Sequence, residues 1–138
     1  MTLFSLTILT PEKDFFADNV GEFIFPTPEG RLGVMAGHAP MIAAVAEGII
    51  EIFTNDECKV AAVGQGFCEI EYDRAEFYLD TAEWAAEIDA TRAREALERA
   101  KRRIQSNLSR LDSIRSQAAI HRAMARIKAA ETAASRGR

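Results

Sequence analysis

The sequence predicts an α+β chain of two segregated parts: an antiparallel β-sandwich over residues 1–84, then a linker and a two-helix hairpin over residues 85–138. Three observations point to this division. All eight Phe, both Tyr, the single Trp, all four Pro and seven of the eight Gly precede Ala85. Charge divides near the same place: residues 1–87 carry four basic against 16 acidic side chains, a net of −12, whereas residues 88–138 carry 13 against five, a net of +8. The apolar period also changes, from short alternating or β-branched runs to spacings of three and four.

In chain order, strands are expected at residues 3–9, 22–25, 48–53, 59–63, 67–71 and 76–80. Turn chemistry separates them at Pro26-Thr27-Pro28-Glu29-Gly30, Thr54-Asn55-Asp56-Glu57 and Tyr72-Asp73-Arg74, the short spacing typical of antiparallel sandwiches. Asp89 is placed to cap the first helix, because its carboxylate can accept from the exposed amides of the opening turn. Ala93, Leu97, Ala100, Ile104, Leu108 and Leu111 form one apolar stripe. Polar Ser106, Asn107, Ser109, Asp112 and Ser113 predict a break, after which Ile114, Ile120, Ala123, Met124, Ile127 and Ala130 resume the stripe until Ser135-Arg136-Gly137-Arg138 frays. Half the stripe is alanine and no aromatic residue anchors it, so docking of the hairpin is expected to be marginal.

Several function classes lose support. A chain of 138 residues with 48% hydrophobic and 28% charged residues is one globular domain, or a small domain with an appendage. The most apolar stretch, residues 33–50, is interrupted by His38, Pro40 and Glu47, too soon for a membrane span of about 20 residues. The opening Met1-Thr2-Leu3-Phe4-Ser5 lacks the basic start of a secretory leader, which predicts a cytoplasmic location. Cys58 and Cys68 read as reduced thiols, and the Cys and His residues lack metal-ligand spacing. Gly64-Gln65-Gly66-Phe67 lacks the third glycine of a dinucleotide fingerprint, and no phosphate-binding Gly-Lys-Ser/Thr loop occurs. His38, in Gly37-His38-Ala39-Pro40, has no nucleophile or metal to work with and reads as structural or interfacial.

The basic residues form two stripes: Arg92, Arg99 and Arg103 on the first helix, and Arg115, Arg122 and Arg126 on the second. Like charges one turn apart cost about 0.2–0.5 kcal/mol per pair, so stripes facing one another across a hairpin call for an anion. Four readings stand beside each other: a solvated face, an acidic protein partner, nucleic acid, or a bound phosphate compound. Nucleic acid is disfavoured by the net charge of −4 and by the lack of aromatic residues among the basic ones. A membrane-surface helix would need bulky apolar residues where this one has alanine.

The segment Gly30-Arg31-Leu32-Gly33-Val34-Met35-Ala36-Gly37-His38-Ala39-Pro40 resembles the signature loop of the epsilon subunits of bacterial F-type ATP synthases, and the later Gly64-Gln65-Gly66-Phe67 agrees with it. Ile88-Asp89-Ala90-Thr91-Arg92-Ala93 and Arg122-Ala123-Met124-Ala125-Arg126 are similar to the helix motifs of the ATP-binding members. The resemblance covers the whole chain and implies a non-catalytic rotor subunit, peripheral on the cytoplasmic face of the cell membrane. Residues 1–84 would grip the gamma subunit and the c-ring, with Gly37, His38, Ala39 and Pro40 at the rotor interface. Residues 85–138 would be regulatory, with Glu83, Ile88, Asp89, Arg92, Ala93, Arg99, Arg122 and Arg126 as ATP contacts. Mg2+ would arrive with the nucleotide, and no metal would be held by protein side chains alone. Arg103, Arg115 and Arg122 would contact the catalytic beta and alpha subunits when the hairpin extends and inhibits hydrolysis. A nucleic-acid-binding module using the basic helices is the alternative.

Overall fold

A computed structural model describes residues 2–105 and 110–135. The proposed break at Ser106, Asn107 and Ser109, the stripe position Leu108 and the fraying Arg136-Gly137-Arg138 lie outside the described residues. Among the described residues, ten strands form two five-stranded sheets, followed by a 3-10 turn (Ala85–Glu87), α1 (Ala90–Gln105) and α2 (Arg110–Ser135).

The first sheet has the order β2-β1-β9-β8-β5, from β1 (Phe4–Leu9), β2 (Asp14–Val20), β5 (Met41–Val45), β8 (Gly66–Ile70) and β9 (Arg74–Leu79). The second has the order β10-β7-β6-β3-β4, from β3 (Glu22–Thr27), β4 (Gly30–Met35), β6 (Gly48–Phe53), β7 (Cys58–Val63) and β10 (Ala82–Trp84). All pairings are antiparallel except β1 with β9. The six expected strands are present. Four more, β2, β4, β5 and β10, complete the sheets, and the Gly30–Met35 part of the glycine-rich segment is strand β4 rather than loop.

Strand alternation sends Phe4, Leu6, Ile8, Phe23, Phe25, Ile50, Ile52 and Phe77 between the sheets, where all are buried. Phe77 meets Phe23 and Phe25 edge-on, at 5.2 and 5.1 Å between centroids, contacts worth about 0.5–1.5 kcal/mol each beyond their area. The sheets join at a crossing where space is minimal. Gly64 donates its N–H to the Thr81 carbonyl at 2.9 Å, and a side chain at Gly66 would collide with the Tyr78 carbonyl oxygen.

The second sheet is covered on both faces. Its outer side presents Ile49, Cys58, Val60 and Ala62, which together with Ala85 receive Ala129 and Ala133 of α2. Double burial explains why β6 and β7 read as nearly unbroken apolar runs rather than alternating ones. The buried exception is Glu51, reached by the Arg31 guanidinium at 3.0 Å.

Asp89 caps α1 as its chemistry predicts, accepting the Arg92 N–H at 3.1 Å. The α2 helix begins at Arg110, so Asp112 and Ser113 lie inside its first turn instead of in the expected break; an acidic residue there suits the helix dipole. The hairpin is antiparallel, with Arg94 of α1 beside Glu131 of α2 at 3.8 Å. Ala93, Ala100, Ala123 and Ser116 are buried, whereas Leu111, Ile114 and Met124 of the expected stripe are exposed. Small residues set the seams because they let the backbones approach; the larger apolar side chains lie beside them.

Candidate functional site

The sandwich and hairpin meet where the sequence changes charge. Glu83 pairs with Ala62 across β10 and β7, which places it on the outer face of the second sheet, while its neighbours Ala82 and Trp84 turn inward to the core. Above it, Arg126 donates from Nε to Glu83 Oε1 at 2.9 Å and from Nη2 to Oε2 at 3.3 Å, a forked pairing of two half-buried groups. Arg122 lies one helical turn earlier. The two arginines, Glu83, Glu47 and Thr81 line a cleft of about 190 Å³ floored by Ala62 and Val63.

This cleft gathers three of the expected ATP contacts, Glu83, Arg122 and Arg126. The remaining five lie on α1 and in the two residues that precede it. Ile88 is half-buried against the Ile49, Val60 and Ala129 cluster, and Ala93 is fully buried in the hairpin seam. Asp89 spends one carboxylate oxygen on its cap and holds the other 3.7 Å from Arg92, whose side chain is 83% exposed. Arg99 faces a separate shallow groove on α1 with Arg102, Glu95 and Glu98. Arg92 and Arg99 therefore do not line the cleft in this arrangement. Arg103 and Arg115 are exposed on α1 and α2.

Glu47 and Thr81 escape a reading of the sequence, because both lie in strand-connecting turns and nothing local signals which turns face the hairpin. Burial pushes the Glu47 carboxyl up from its ordinary value, partly offset by the Arg122 and His121 charges and reinforced by Asp80. Among the described residues no group of three or more His, Cys, Asp or Glu can hold a metal ion.

At the other end of the sandwich, Gly37 takes a left-handed φ of 83° and donates its N–H to the Tyr72 carbonyl at 2.8 Å. That turn presents Ala39 and Pro40 to solvent and half-buries His38, whose Nδ1 lies 2.7 Å from the Ala39 carbonyl and donates to it. Met35, Ile42 and Tyr72, all exposed, surround it. This is an apolar surface, at the opposite end of β5 and β9 from the turns that carry Glu47 and Thr81.

The family models for the ATP synthase delta/epsilon chain match almost throughout: the beta-sandwich domain over residues 3–85 and the long alpha-helix domain over residues 86–131. The ATP synthase epsilon chain of Ruminiclostridium cellulolyticum is 41% identical over 129 residues, 94% of this chain and 96% of the relative. That of Desulforamulus reducens is 38% identical over 126 residues, 91% and 96% of the two chains. A chain of the Euglena gracilis mitochondrial ATP synthase, solved as the OSCP/F1/c-ring assembly, shares the fold with a TM-score of 0.80 at 23% identity, covering 88% of this chain and 77% of its own. No helix among the described residues is long and apolar enough to cross a membrane. With both domains matched in order and curated relatives aligned nearly end to end, the chain belongs to the ATP synthase delta/epsilon family, as a non-catalytic subunit of that complex.

Proposed function

We propose that this chain is a rotor subunit of the central stalk whose hairpin senses ATP and restrains hydrolysis. The observation that carries the reading is the cleft between sandwich and α2, where Arg122 and Arg126 stand one turn apart over Glu83. Guanidinium forks pair with phosphate oxygens, and a ligand that bridges α2 to the sandwich holds the hairpin down. Its 190 Å³ is smaller than the ~300–1,000 Å³ of typical small-molecule sites, so it fits the phosphate end of a nucleotide. Ile88, Asp89, Arg92, Ala93 and Arg99 complete the site for base and ribose only if the start of α1 shifts toward the cleft. Glu47 and Glu83 would repel a bare polyphosphate, which favours a nucleotide accompanied by Mg2+.

In the docked state the hairpin permits rotation. Undocked, it extends along the gamma subunit, and Arg103, Arg115 and Arg122 meet acidic segments of the catalytic beta and alpha subunits. The sandwich stays attached to gamma and the c-ring through the surface around Gly37, His38, Ala39 and Pro40, keeping the chain peripheral on the cytoplasmic face of the membrane. Calorimetric titration with ATP and Mg2+ tests the ligand. Saturable binding without release of ADP is expected, weakened about ten- to a hundredfold in Arg126→Ala by loss of charge-assisted hydrogen bonds worth roughly 1.5–3 kcal/mol. A flat titration at millimolar ATP would leave the hairpin without a nucleotide and reduce the chain to a mechanical coupler.

A further inference from the structure

Glu47 occupies the turn between β5 and β6 and is half-buried. It lines two of the clefts along α2: the basic one with Arg122 and Arg126, and a wider one with His121 and Met124 of α2 and Leu97 of α1. Ala125, buried, is the one other residue common to both, so Glu47 lies beside the seated helix. The charges that act on it are Arg122 and His121 from α2 and Asp80 from the β9–β10 turn. Further along the two clefts stand Glu83 of β10 and Arg126, Lys128 and Glu131 of α2. The wall that α1 supplies is the uncharged Leu97.

Arg126 is committed to Glu83. Among the described residues no salt bridge joins Glu47 to Arg122 or His121. With α2 seated, the Glu47 carboxylate is thus half-buried at the helix without an ion pair closed on it. We propose that Glu47 is a proton-sensitive brake on hairpin docking: ionised it opposes the seating of α2, and protonated it lets the helix settle. The inference concerns docking alone and stands whether or not the cleft binds a nucleotide.

The sign follows from linkage. Burial in the docked state raises the affinity of Glu47 for a proton above that of the same group facing water when the hairpin is away. Docking is strengthened as pH falls through the raised value and weakened as pH rises through it, in a window that begins at the ordinary 4.5 and extends above it.

Amide hydrogen exchange of the full-length protein tests this, comparing wild type, Glu47→Gln, His121→Gln and the double variant at about pH 5.5 and about pH 7.5, each corrected for intrinsic rates. At the higher pH, residues 123–133 of Glu47→Gln should open severalfold less than wild type. On acidification wild type should approach the variant, and the same convergence should persist with His121 replaced, which assigns it to Glu47. If Glu47→Gln lowers protection in β1 and β9, and so disturbs the sandwich itself, the pH profile of His121→Gln alone decides: α2 protection that rises on acidification supports the brake. A variant that opens as readily as wild type at the higher pH, a gap that does not narrow, or α2 protection that is flat or falling in His121→Gln would overturn it.

Discussion

Ala129 and Ala133 lie one turn apart on the same face of α2, yet replacing each with leucine should move docking in opposite directions. Ala129 is fully buried among Ile49, Val60, Ala62 and Ala85, in the closed part of the seam. Ala133 borders an open cleft of about 300 Å³ lined by Cys58, Lys59, Val60 and Trp84. Leucine adds three carbons; buried without strain they would contribute about 0.8 kcal/mol each. At Ala133 the cleft accepts them in part, so Ala133→Leu should tighten docking by about 1–2 kcal/mol. At Ala129 the helix must instead lift off the sheet, at an overpacking cost of about 1–3 kcal/mol, and lifting also stretches the 2.9 Å bond from Arg126 to Glu83. The assay is the rate of tryptic cleavage after Arg122, Arg126 and Lys128, which tracks the open population when opening and closing outpace cleavage. Ala129→Leu should be cut about five- to a hundredfold faster than wild type and Ala133→Leu slower. Equal shifts in the same direction would refute the description of a seam closed at one alanine and open at the next.

Two further outcomes concern the sandwich alone. Gly66→Ala should lower the stability of the sandwich by more than about 2 kcal/mol, because the added carbon collides with backbone at Tyr78 rather than with a flexible side chain; an unchanged urea midpoint would contradict the close crossing. Cys68, whose thiol burial pushes up to about 11, should resist an aromatic disulfide reagent at neutral pH until the protein is unfolded, and rapid labelling of the native chain at that residue would show the core to be open.

The architecture was legible because its two halves obey different periods. Aromatic and β-branched runs announced the inner face of the sandwich, and Asp89 announced the start of α1. Strands β2, β4 and β5 were harder to read: Asp14–Val20 buries two of its seven residues, and Gly30–Met35 and Met41–Val45 are edge strands with much of their surface in solvent. Weak burial leaves weak alternation. The run Ile49-Ile50-Glu51-Ile52, apolar but for Glu51, carries a signal for α2, since a strand buried on both sides needs a second cover.

Of the site, the arginine spacing on α2 was visible, because Arg122 and Arg126 lie on one face of a helix whatever it packs against. Which carboxylate meets them has no local signal; Glu83 enters the site through the family resemblance alone. Pairing Glu83 with Arg126 depends on β10 being added to the edge of the second sheet, and the place of Glu47 depends on which loop α2 crosses. These are contacts between distant parts of the chain, with no local pattern to announce them. Arg92 and Arg99 show the converse: their spacing on α1 is regular, but the docked hairpin turns them away from the cleft.

The central claim is that the docked hairpin permits hydrolysis and that ATP keeps it docked. The aromatic core does not include the hairpin, so a chain lacking residues 88–138 should retain a folded sandwich and assemble with the complex. The decisive measurement is the rate of ATP hydrolysis by complexes carrying the full-length or the shortened chain, across a range of ATP concentrations. The shortened chain should give the faster enzyme at low ATP. The two rates should converge as nucleotide fills the cleft, which stabilises the docked form by about 2.7 kcal/mol at a hundredfold excess over Kd. Equal rates at every concentration would contradict a restraining hairpin, and a constant gap would contradict its release by ATP.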